Sequence, residues 1–309
     1  MPKKSMRVEC GKYLVEMGDK NNDIVVLDAD LKDSTQSVQF QKAFPDRFID
    51  VGIAEQNMVG IAAGLSLSGK IPIVHSFACF ISMRACEQVR TTIAYPKLNV
   101  KFVVSHGGIS SGSAGTTHHA IEDIAIMRAI PNMTVLVPGD AEEAKQVLHE
   151  ALEHDGPAYI RLSASDTEDA LMGKDVFTIG KGTLLKEGND ACIITSGTTK
   201  LAGLEAADRL LEKGLKIKVL QMASIKPIDE RMIKEAARET KAVVTVEEHN
   251  ILGGLGGAVC EVVAEMGGVR VKRLGIKDRF CGIGTEACLM DEEEITVQAI
   301  VDNVLEMVK

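Results

Sequence analysis

A single carboxylate, Glu55, ends a strand-like apolar run that starts at Phe48 and leads directly into an Ala/Gly-rich helix pattern from Val59 to Gly69. At the carboxyl end of a strand in an open α/β sheet, such a side chain would lie where ligands bind. A carboxyl group that is sheltered from water there tends to keep its proton. Glu55 is therefore a candidate for donating a proton to a heterocycle. The alternative is an ordinary first-turn glutamate that faces solvent and complements the helix dipole.

Two phenylalanines follow the next apolar strand pattern. The chain has no Trp, three Tyr and eight Phe, yet Phe77 and Phe80 stand three positions apart just beyond the strand that begins at Ile71. Aromatic faces at a strand end can stack on a flat ring. The pair predicts a binding site for a planar group close to Glu55.

Further polar residues follow the apolar strands of the first half of the chain. They are Asp28, Asp30, His75 and His106. Each could be an ordinary loop residue, but the carboxyl ends of parallel strands meet at one edge of a sheet. A shared pocket at that edge is therefore expected.

A loop rich in glycine and hydroxyl side chains leads from His106 to His118 and His119. Its backbone could approach an anion or a polyol closely. Adjacent histidines suggest a metal, but no cysteine or carboxylate stands at a customary ligand spacing, so we predict no metal ligands in this chain. His118 is predicted to transfer protons and to form hydrogen bonds. His119 is expected only to begin a helix that runs to Ala129.

Composition narrows the class of protein. The 309 residues carry a net charge of −9, which argues against nucleic acid as the main partner, because phosphate binding needs a basic face. No signal peptide or membrane-length apolar run is found, so we expect a cytoplasmic protein that does not enter membranes. The seven cysteines form no C-x-x-C pair and are expected to be mostly buried, reduced thiols. Residues 1–7 are expected to be a frayed terminus.

Short apolar strands alternate with amphipathic helix patterns from residue 24 onward, which predicts parallel βαβ units and an α/β fold. The predicted strands are Ile24–Leu27, Arg47–Val51, Ile71–Val74, Val100–Val104, Thr134–Val137, Ala158–Leu162, Ala191–Thr195, Ile217–Met222, Ala242–Val246 and Arg270–Leu274. The predicted helices include Arg84–Tyr95, His119–Ala129, Asp140–His154 with Asp140 as its N-cap, Leu201–Lys213, Asp229–Glu239, Ala258–Met266 and Glu293–Val308.

A polar, Gly-containing stretch between Ser163 and Gly188 interrupts this alternation. We therefore predict two doubly wound α/β domains, residues 1–170 and a smaller one at 190–309, joined by a linker at 171–189. In the second domain a Gly-rich turn follows Glu247 and Glu248, but Val259 occupies the last place of the dinucleotide fingerprint. These residues are expected to serve packing and interfaces.

Several of these motifs together resemble those of the transketolase family, in order and over nearly the whole chain. They are Asp28-Ala-Asp-Leu31, Gly52-Ile-Ala-Glu55-Gln-Asn-Met58, Phe77-x-x-Phe80, the loop from His106 to His118, Pro131-Asn-Met133 and Val246-Glu-Glu-His249 with its Gly-rich turn. The similarity is to the pyrimidine-binding and C-terminal domains, roughly the second half of a full-length enzyme.

The resemblance implies thiamine diphosphate as cofactor. Glu55 matches the glutamate that hydrogen-bonds the aminopyrimidine ring nitrogen, a role that needs a carboxyl group sheltered from water. Other matched positions line the cofactor (Asp30, Leu31, Phe77 and Phe80) or contact the sugar substrate (Ser34, His106 and His118). Two positions depart from the family pattern, Ala114 and Ala164, and they leave open how a substrate phosphate is recognised.

Family members bind the diphosphate and its divalent metal through a Gly-Asp-Gly…Asn motif in an N-terminal domain, and this chain has no such segment. The resemblance therefore implies a separate N-terminal subunit that holds the diphosphate with magnesium or another divalent cation. It also implies active sites at the interface, in an assembly built on a twofold dimer core, such as a heterotetramer.

The leading hypothesis is the C-terminal subunit of a split transketolase of the pentose phosphate pathway, which transfers a two-carbon ketol unit from a ketose phosphate to an aldose phosphate. One alternative is an activity like that of deoxyxylulose phosphate synthase or of a 2-oxoacid dehydrogenase β-subunit, both of which decarboxylate a 2-oxoacid. Another is a partner subunit without catalytic activity.

Overall fold

The structure, a computed structural model, describes residues 3–169 and 176–309. The described residues form a seven-stranded sheet, a five-stranded sheet and a two-stranded ribbon. Both large sheets are mostly parallel, with helices between their strands. The α/β fold predicted from the alternating patterns is confirmed.

The first sheet has the strand order β12-β6-β7-β5-β4-β2-β3, in which only β12 is antiparallel to its neighbour. Its strands are β2 (Ile24–Asp28), β3 (Phe48–Asp50), β4 (Ile71–Phe77), β5 (Lys101–Ser105), β6 (Thr134–Leu136), β7 (Ala158–Arg161) and β12 (Ser224–Lys226). The six parallel strands match the six predicted for this half of the chain. They are mostly continuous apolar runs because parallel sheets are covered on both faces.

Seven helices lie in this half: α1 (Met6–Lys20), α2 (Lys32–Thr35), α3 (Val38–Ala43), α4 (Glu55–Leu67), α5 (Cys86–Gln88), α6 (Asp123–Ala129) and α7 (Ala141–Glu153). The predicted cap of α7 is confirmed, since Asp140 accepts a hydrogen bond from Glu143 N at 2.9 Å. The predicted helix Arg84–Tyr95 is wrong in form, because π-helical turns at Phe80–Arg84 and Val89–Ala94 flank the short α5.

The start of the chain is ordered from Lys3 onward, so the predicted frayed terminus is wrong for residues 3–7. Strand β1 (Lys3–Ser5) pairs antiparallel with β8 (Asp166–Glu168), and Ser5 caps α1 by accepting from Val8 N at 3.4 Å. Ser5 and Val8 of the sequence are the cap signal that would have predicted this helix start.

The second sheet has the order β14-β13-β10-β11-β9, with β9 antiparallel to β11. Its strands are β9 (Thr183–Lys186), β10 (Ala191–Thr195), β11 (Ile217–Gln221), β13 (Ala242–Asn250) and β14 (Arg270–Ile276). Its helices are α8 (Lys200–Leu211), α9 (Glu230–Glu239), α10 (Leu255–Ala264), α11 (Glu286–Glu292) and α12 (Val297–Val308). The predicted helix Glu293–Val308 corresponds to α12 but starts four residues later, at Val297, where Thr296 is the N-cap; the preceding helix α11 was not predicted.

The predicted linker, residues 171–189, lies partly outside the described residues, at 171–175. Its later part contains β9, which joins the second sheet, while β12 from beyond the linker joins the first sheet. The division at 170 and 190 stays a prediction.

One apolar cluster connects the two sheets. Along the strands of the first sheet, Val74 belongs to this cluster while its neighbour Ile73 faces a separate one, as expected for side chains that alternate between faces. Residues of the second sheet, such as Ile194 and Leu220, belong to the same cluster as Val74. One face of the first sheet is therefore packed against the second half of the chain.

Candidate active site

Five residues predicted to do chemistry come together beyond the carboxyl ends of β4 and β5. The rings of Phe77 and Phe80 stack with centroids 5.7 Å apart, and His106 lies 3.8 Å from Phe77 between centroids. His118 meets both phenylalanines edge-on, at 6.2 Å and 5.5 Å. Glu55 joins this group through Ser76, whose Oγ lies 3.5 Å from Glu55 Oε1. We call these five residues the edge cluster.

Glu55 begins α4, and its side chain is 1% exposed. The prediction that it is sheltered from water is confirmed. Arg84 Nη1 donates to Glu55 Oε2 at 2.7 Å, and the Arg84 guanidinium lies 4.4 Å from the centroid of the Phe80 ring. Sequence reasoning missed this arginine, because the chain was expected to run as a regular helix from Arg84 instead of ending a π-turn there.

The two histidines of the edge cluster have different surroundings. His106 has φ +60°, and its Nδ1 lies 2.9 Å from Ser105 Oγ. Burial, together with the nearby charges of Arg7 and His118, lowers the pKa of His106 to about 4, so the ring is neutral at pH 7 and can accept a hydrogen bond. His118 is half-buried, with Nδ1 3.0 Å from Thr117 Oγ1.

His119 does not begin a helix, so that prediction is wrong. It is 3% exposed, its Nε2 lies 3.2 Å from Gly112 O, and α6 begins only at Asp123. Its ring packs inside the loop because Gly112 turns the backbone around it with φ +50°.

The β2–α2 turn carries the other predicted site residues. Asp28 is fully buried and accepts from Leu31 N at 2.6 Å, Thr35 Oγ1 at 2.9 Å and Ser37 Oγ at 2.8 Å. Its role is therefore to shape the turn. Asp30 is exposed with φ +61°, while Leu31 packs against the central apolar cluster.

Arg7 links Ser34 to the edge cluster and was not predicted. Its guanidinium donates to Ser34 O at 2.7 Å and to Ala164 O at 2.6 Å, and it contributes to the lowered pKa of His106. Its Nε is buried without a hydrogen-bond partner. Arg7 thus places a cation beside Ala164, one of the two positions that depart from the family pattern. The helix pattern that follows Ser5 was the signal that could have found it.

The cysteines supply no reactive thiolate near the cluster. Cys79 is buried, and burial raises its pKa to about 12; burial also raises the pKa of half-buried Cys86. Among the described residues, no group of three or more His, Cys, Asp or Glu side chains could hold a metal ion. No helix in the described part of the chain is long and apolar enough to span a membrane.

Comparisons with known proteins show which family the chain belongs to. The family model described as "Transketolase, pyrimidine binding domain" matches residues 2–168, and the family model described as "Transketolase, C-terminal domain" matches residues 180–300. The chain therefore belongs to the transketolase family, which implies dependence on thiamine diphosphate and an enzyme that transfers ketol groups.

Within that family the chain corresponds to the C-terminal section. A transketolase C-terminal section from Methanocaldococcus jannaschii is 45% identical and covers 99% of this chain and 97% of that protein. The 6-deoxy-6-sulfo-D-fructose transketolase subunit of a Clostridium species is 42% identical over 93% of this chain and 89% of its own length. A solved structure described as a split-gene transketolase, an inactive β4 tetramer, has 46% identity, a TM-score of 0.92 and 98% coverage of both chains.

Some relatives are longer enzymes with another name. 1-deoxy-D-xylulose-5-phosphate synthase 1 of Geobacter sulfurreducens is 40% identical, and the match covers 89% of this chain but 44% of that protein.

The edge cluster fits the aminopyrimidine ring of thiamine diphosphate. Arg84 places a planar, nitrogen-bearing group over Phe80 and against the Glu55 carboxyl group. An aminopyrimidine has the same flat shape and also carries nitrogen atoms on its edge. Glu55 would meet a ring nitrogen, and the phenylalanines would hold the ring face.

Proposed function

We propose that this chain is the C-terminal subunit of a split transketolase, which transfers a two-carbon ketol unit from a ketose phosphate to an aldose phosphate. The observation that carries the proposal is the buried Glu55 carboxyl group beside the stacked pair of Phe77 and Phe80. When bound, thiamine diphosphate supplies the nucleophilic carbon and the electron sink for breaking and forming the carbon–carbon bond.

Glu55 would form a hydrogen bond with the ring nitrogen of the aminopyrimidine. Phe77 and Phe80 exclude water from the ring face, which strengthens that hydrogen bond, while Asp30 and Leu31 line the cofactor from the β2–α2 turn. His106, neutral at pH 7, accepts a hydrogen bond from a sugar hydroxyl. His118, at the other end of the loop, moves protons on the hydroxyl groups of donor and acceptor.

The substrate end that carries an anion lies toward Ser34 and Arg7. The Arg7 guanidinium donates hydrogen bonds to the backbone oxygens of Ser34 and Ala164, and its positive charge helps to lower the pKa of His106. A phosphate and a sulfonate share the chemistry that a guanidinium recognises. The name of the Clostridium relative, which mentions a sulfo sugar, supports an anionic terminal group as the shared feature.

A second polypeptide supplies the diphosphate site and its divalent cation, magnesium being the usual choice. Support comes from relatives named as a C-terminal section or as a subunit. The solved relative described as an inactive β4 tetramer supports a self-associating core that needs a partner for activity. We propose a cytoplasmic heterotetramer with a role in the pentose phosphate pathway.

Reconstitution tests the proposal. The chain is mixed with its N-terminal partner, thiamine diphosphate and magnesium, and ketol transfer from a ketose phosphate to an aldose phosphate is assayed. We expect activity only in the mixture. Glu55→Gln should lower kcat by about 10²–10⁴-fold, the usual worth of acid–base catalysis. Glu87→Gln, which changes an exposed glutamate on α5, is the matched control. Undiminished kcat in Glu55→Gln would contradict the assignment.

Arg7→Met tests how the substrate anion is recognised. Loss of a charge-assisted contact worth roughly 1.5–3 kcal/mol should raise KM for a phosphorylated acceptor about 10–100-fold. KM for an unphosphorylated aldehyde acceptor should change little. An equal rise for both acceptors would show that Arg7 only holds the Ser34 segment in place.

The alternative activity rests on the synthase relatives, which share most of this chain's length. Release of carbon dioxide from pyruvate by the reconstituted pair, without ketol transfer, would favour it. Absence of both reactions, with a partner still bound, would favour a subunit without catalytic activity.

A further inference from the structure

The loop that carries the two site histidines is closed at its base by a pair of backbone hydrogen bonds. Gly108 N donates to Ala120 O at 3.0 Å, and Ala120 N donates to Gly108 O at 2.8 Å. His106 lies two residues before Gly108, and His118 lies two residues before Ala120, the two residues of the base. The positions of both imidazoles therefore depend on what fixes the base.

A carboxylate from the second sheet fixes it. Glu248, near the end of β13, is 4% exposed; its Oε1 accepts from Ile109 N at 2.7 Å and its Oε2 from Thr198 Oγ1 at 3.1 Å. A Cβ atom on Gly108 would lie 2.2 Å from Glu248 Oε1, and Gly108 has φ +61°. Glycine at position 108 therefore permits a direct approach of this carboxylate to the loop backbone.

Other contacts tie the rest of the loop to the second half of the chain. Thr116 Oγ1 donates to Cys281 O at 2.9 Å, and Arg161 Nη2 donates to both Ala120 O at 3.1 Å and Glu248 O at 2.9 Å. The loop thus lies between the two sheets, with its base and its tip both anchored. Of these anchors, the Glu248 side chain is the one that meets a loop amide next to the base.

We propose that Glu248 is a positioning residue for the reaction, and that the C-terminal domain uses it to hold His106 and His118 against the stacked Phe77 and Phe80. The inference rests on the proposed function for the reaction that the histidines serve. Displacement of a catalytic group by about 1 Å can cost about 10²-fold in rate, so such anchoring matters for catalysis.

Variants of two neighbouring carboxylates test the proposal. Glu248→Ala removes the acceptor for Ile109 N, whereas Glu248→Gln keeps one oxygen acceptor in the same place. Glu247 is the matched control: it is equally buried but accepts from Leu255 N and Gly256 N at the start of α10, within the second half of the chain. Glu248→Met, of similar volume, replaces Glu248→Ala if the smaller side chain prevents folding.

Two readouts are measured, kcat and KM of the reconstituted holoenzyme and amide hydrogen exchange of residues 107–120. In Glu248→Ala we expect kcat to fall about 10–100-fold with faster exchange in that segment, and in Glu248→Gln we expect both to stay within about threefold of wild type. Glu247→Ala should lower the melting temperature without changing exchange at 107–120.

Three results would overturn the proposal: wild-type exchange and kcat in Glu248→Ala, no recovery in Glu248→Gln, or an equal loss of kcat in Glu247→Ala. If the wild-type pair shows no ketol transfer, the proposed function fails. The exchange data then decide the positioning role alone: faster exchange at 107–120 confined to Glu248→Ala supports it, and any other pattern overturns it.

Discussion

Buried charge is handled differently at the junction of the two sheets and at the edge cluster. At the junction Lys200, fully buried, donates to Asp140 and lies 3.5 Å from Glu143, and all three are buried. At the edge, Glu55 is equally buried, but its cationic partner Arg84 is 44% exposed. At the junction, the cation is buried with its carboxylates and stays paired with them. At the edge cluster, the cation is partly exposed, so solvent or a ligand can displace it. We therefore expect the Lys200 ion pairs to contribute mainly to stability and the Glu55–Arg84 pair to contribute mainly to function.

Removing the cation of the junction should have the largest effect. Lys200→Met leaves the buried Asp140 and Glu143 carboxylates without their shared cation, and breaking a buried ion pair in this way costs about 3–5 kcal/mol. We expect a loss of that size in the free energy of unfolding, measured by urea denaturation.

The control for that experiment is an exposed ion pair of the same kind. Lys186→Met removes the partner of Asp208, which is 71% exposed, so the change should stay within about 1 kcal/mol. Glu55→Gln should likewise change stability little. A smaller loss in Lys200→Met than in Glu55→Gln would reverse the comparison between junction and edge.

Much of the fold could be predicted because its signals are local. Apolar runs predicted the parallel strands of both sheets but not the antiparallel edge strands β9 and β12, and Asp140 before Glu143 predicted the start of α7. Glu55, Phe77 and Phe80 could be found because all three lie at or within five residues of the end of a parallel strand, and parallel strands end at the same edge.

The missed residues act through contacts that sequence order does not show. Arg84 reaches Glu55 only because π-turns replace the regular helix pattern, and Arg7 reaches Ser34 and Ala164 from a segment 27 and 157 residues away. Glu248 contacts Ile109 across 139 residues. These side chains are polar residues in apolar or loop surroundings, so the spacing of apolar residues along the sequence does not indicate which groups they contact.

The pH dependence of the free energy of unfolding tests two further buried carboxyl groups, those of Glu247 and Glu248. Burial raises the pKa of Glu247 to about 7, despite the amide donors Leu255 N and Gly256 N, and burial also raises the pKa of Glu248. The folded chain therefore binds these protons more tightly than the unfolded chain. Their contribution to stability is fully present below about pH 4.5 and is lost as the pH rises through 7.

For Glu247 this loss amounts to about 3 kcal/mol at most, from the size of the pKa change. Urea midpoints at pH 5, 6, 7 and 8 would measure it, and Glu247→Gln should flatten the curve over that range. Parallel curves for wild type and Glu247→Gln would mean that Glu247 is ionised in the fold throughout this range.

The smallest effect is expected at the edge, from Arg84→Met. Arg84 contacts both Glu55 and Phe80, the two groups proposed to hold the pyrimidine, so the cofactor must displace it. A half-exposed ion pair and a cation–π contact together stabilise by about 1 kcal/mol, so their removal should tighten thiamine diphosphate binding roughly fivefold. Titration calorimetry of the reconstituted pair measures the dissociation constant, with Arg90→Met as the control for an exposed arginine on the following turn. Weaker binding in Arg84→Met would mean that Arg84 stays in place and holds the cofactor. The cation of the edge cluster would then be as permanent a part of its site as Lys200 is of the junction.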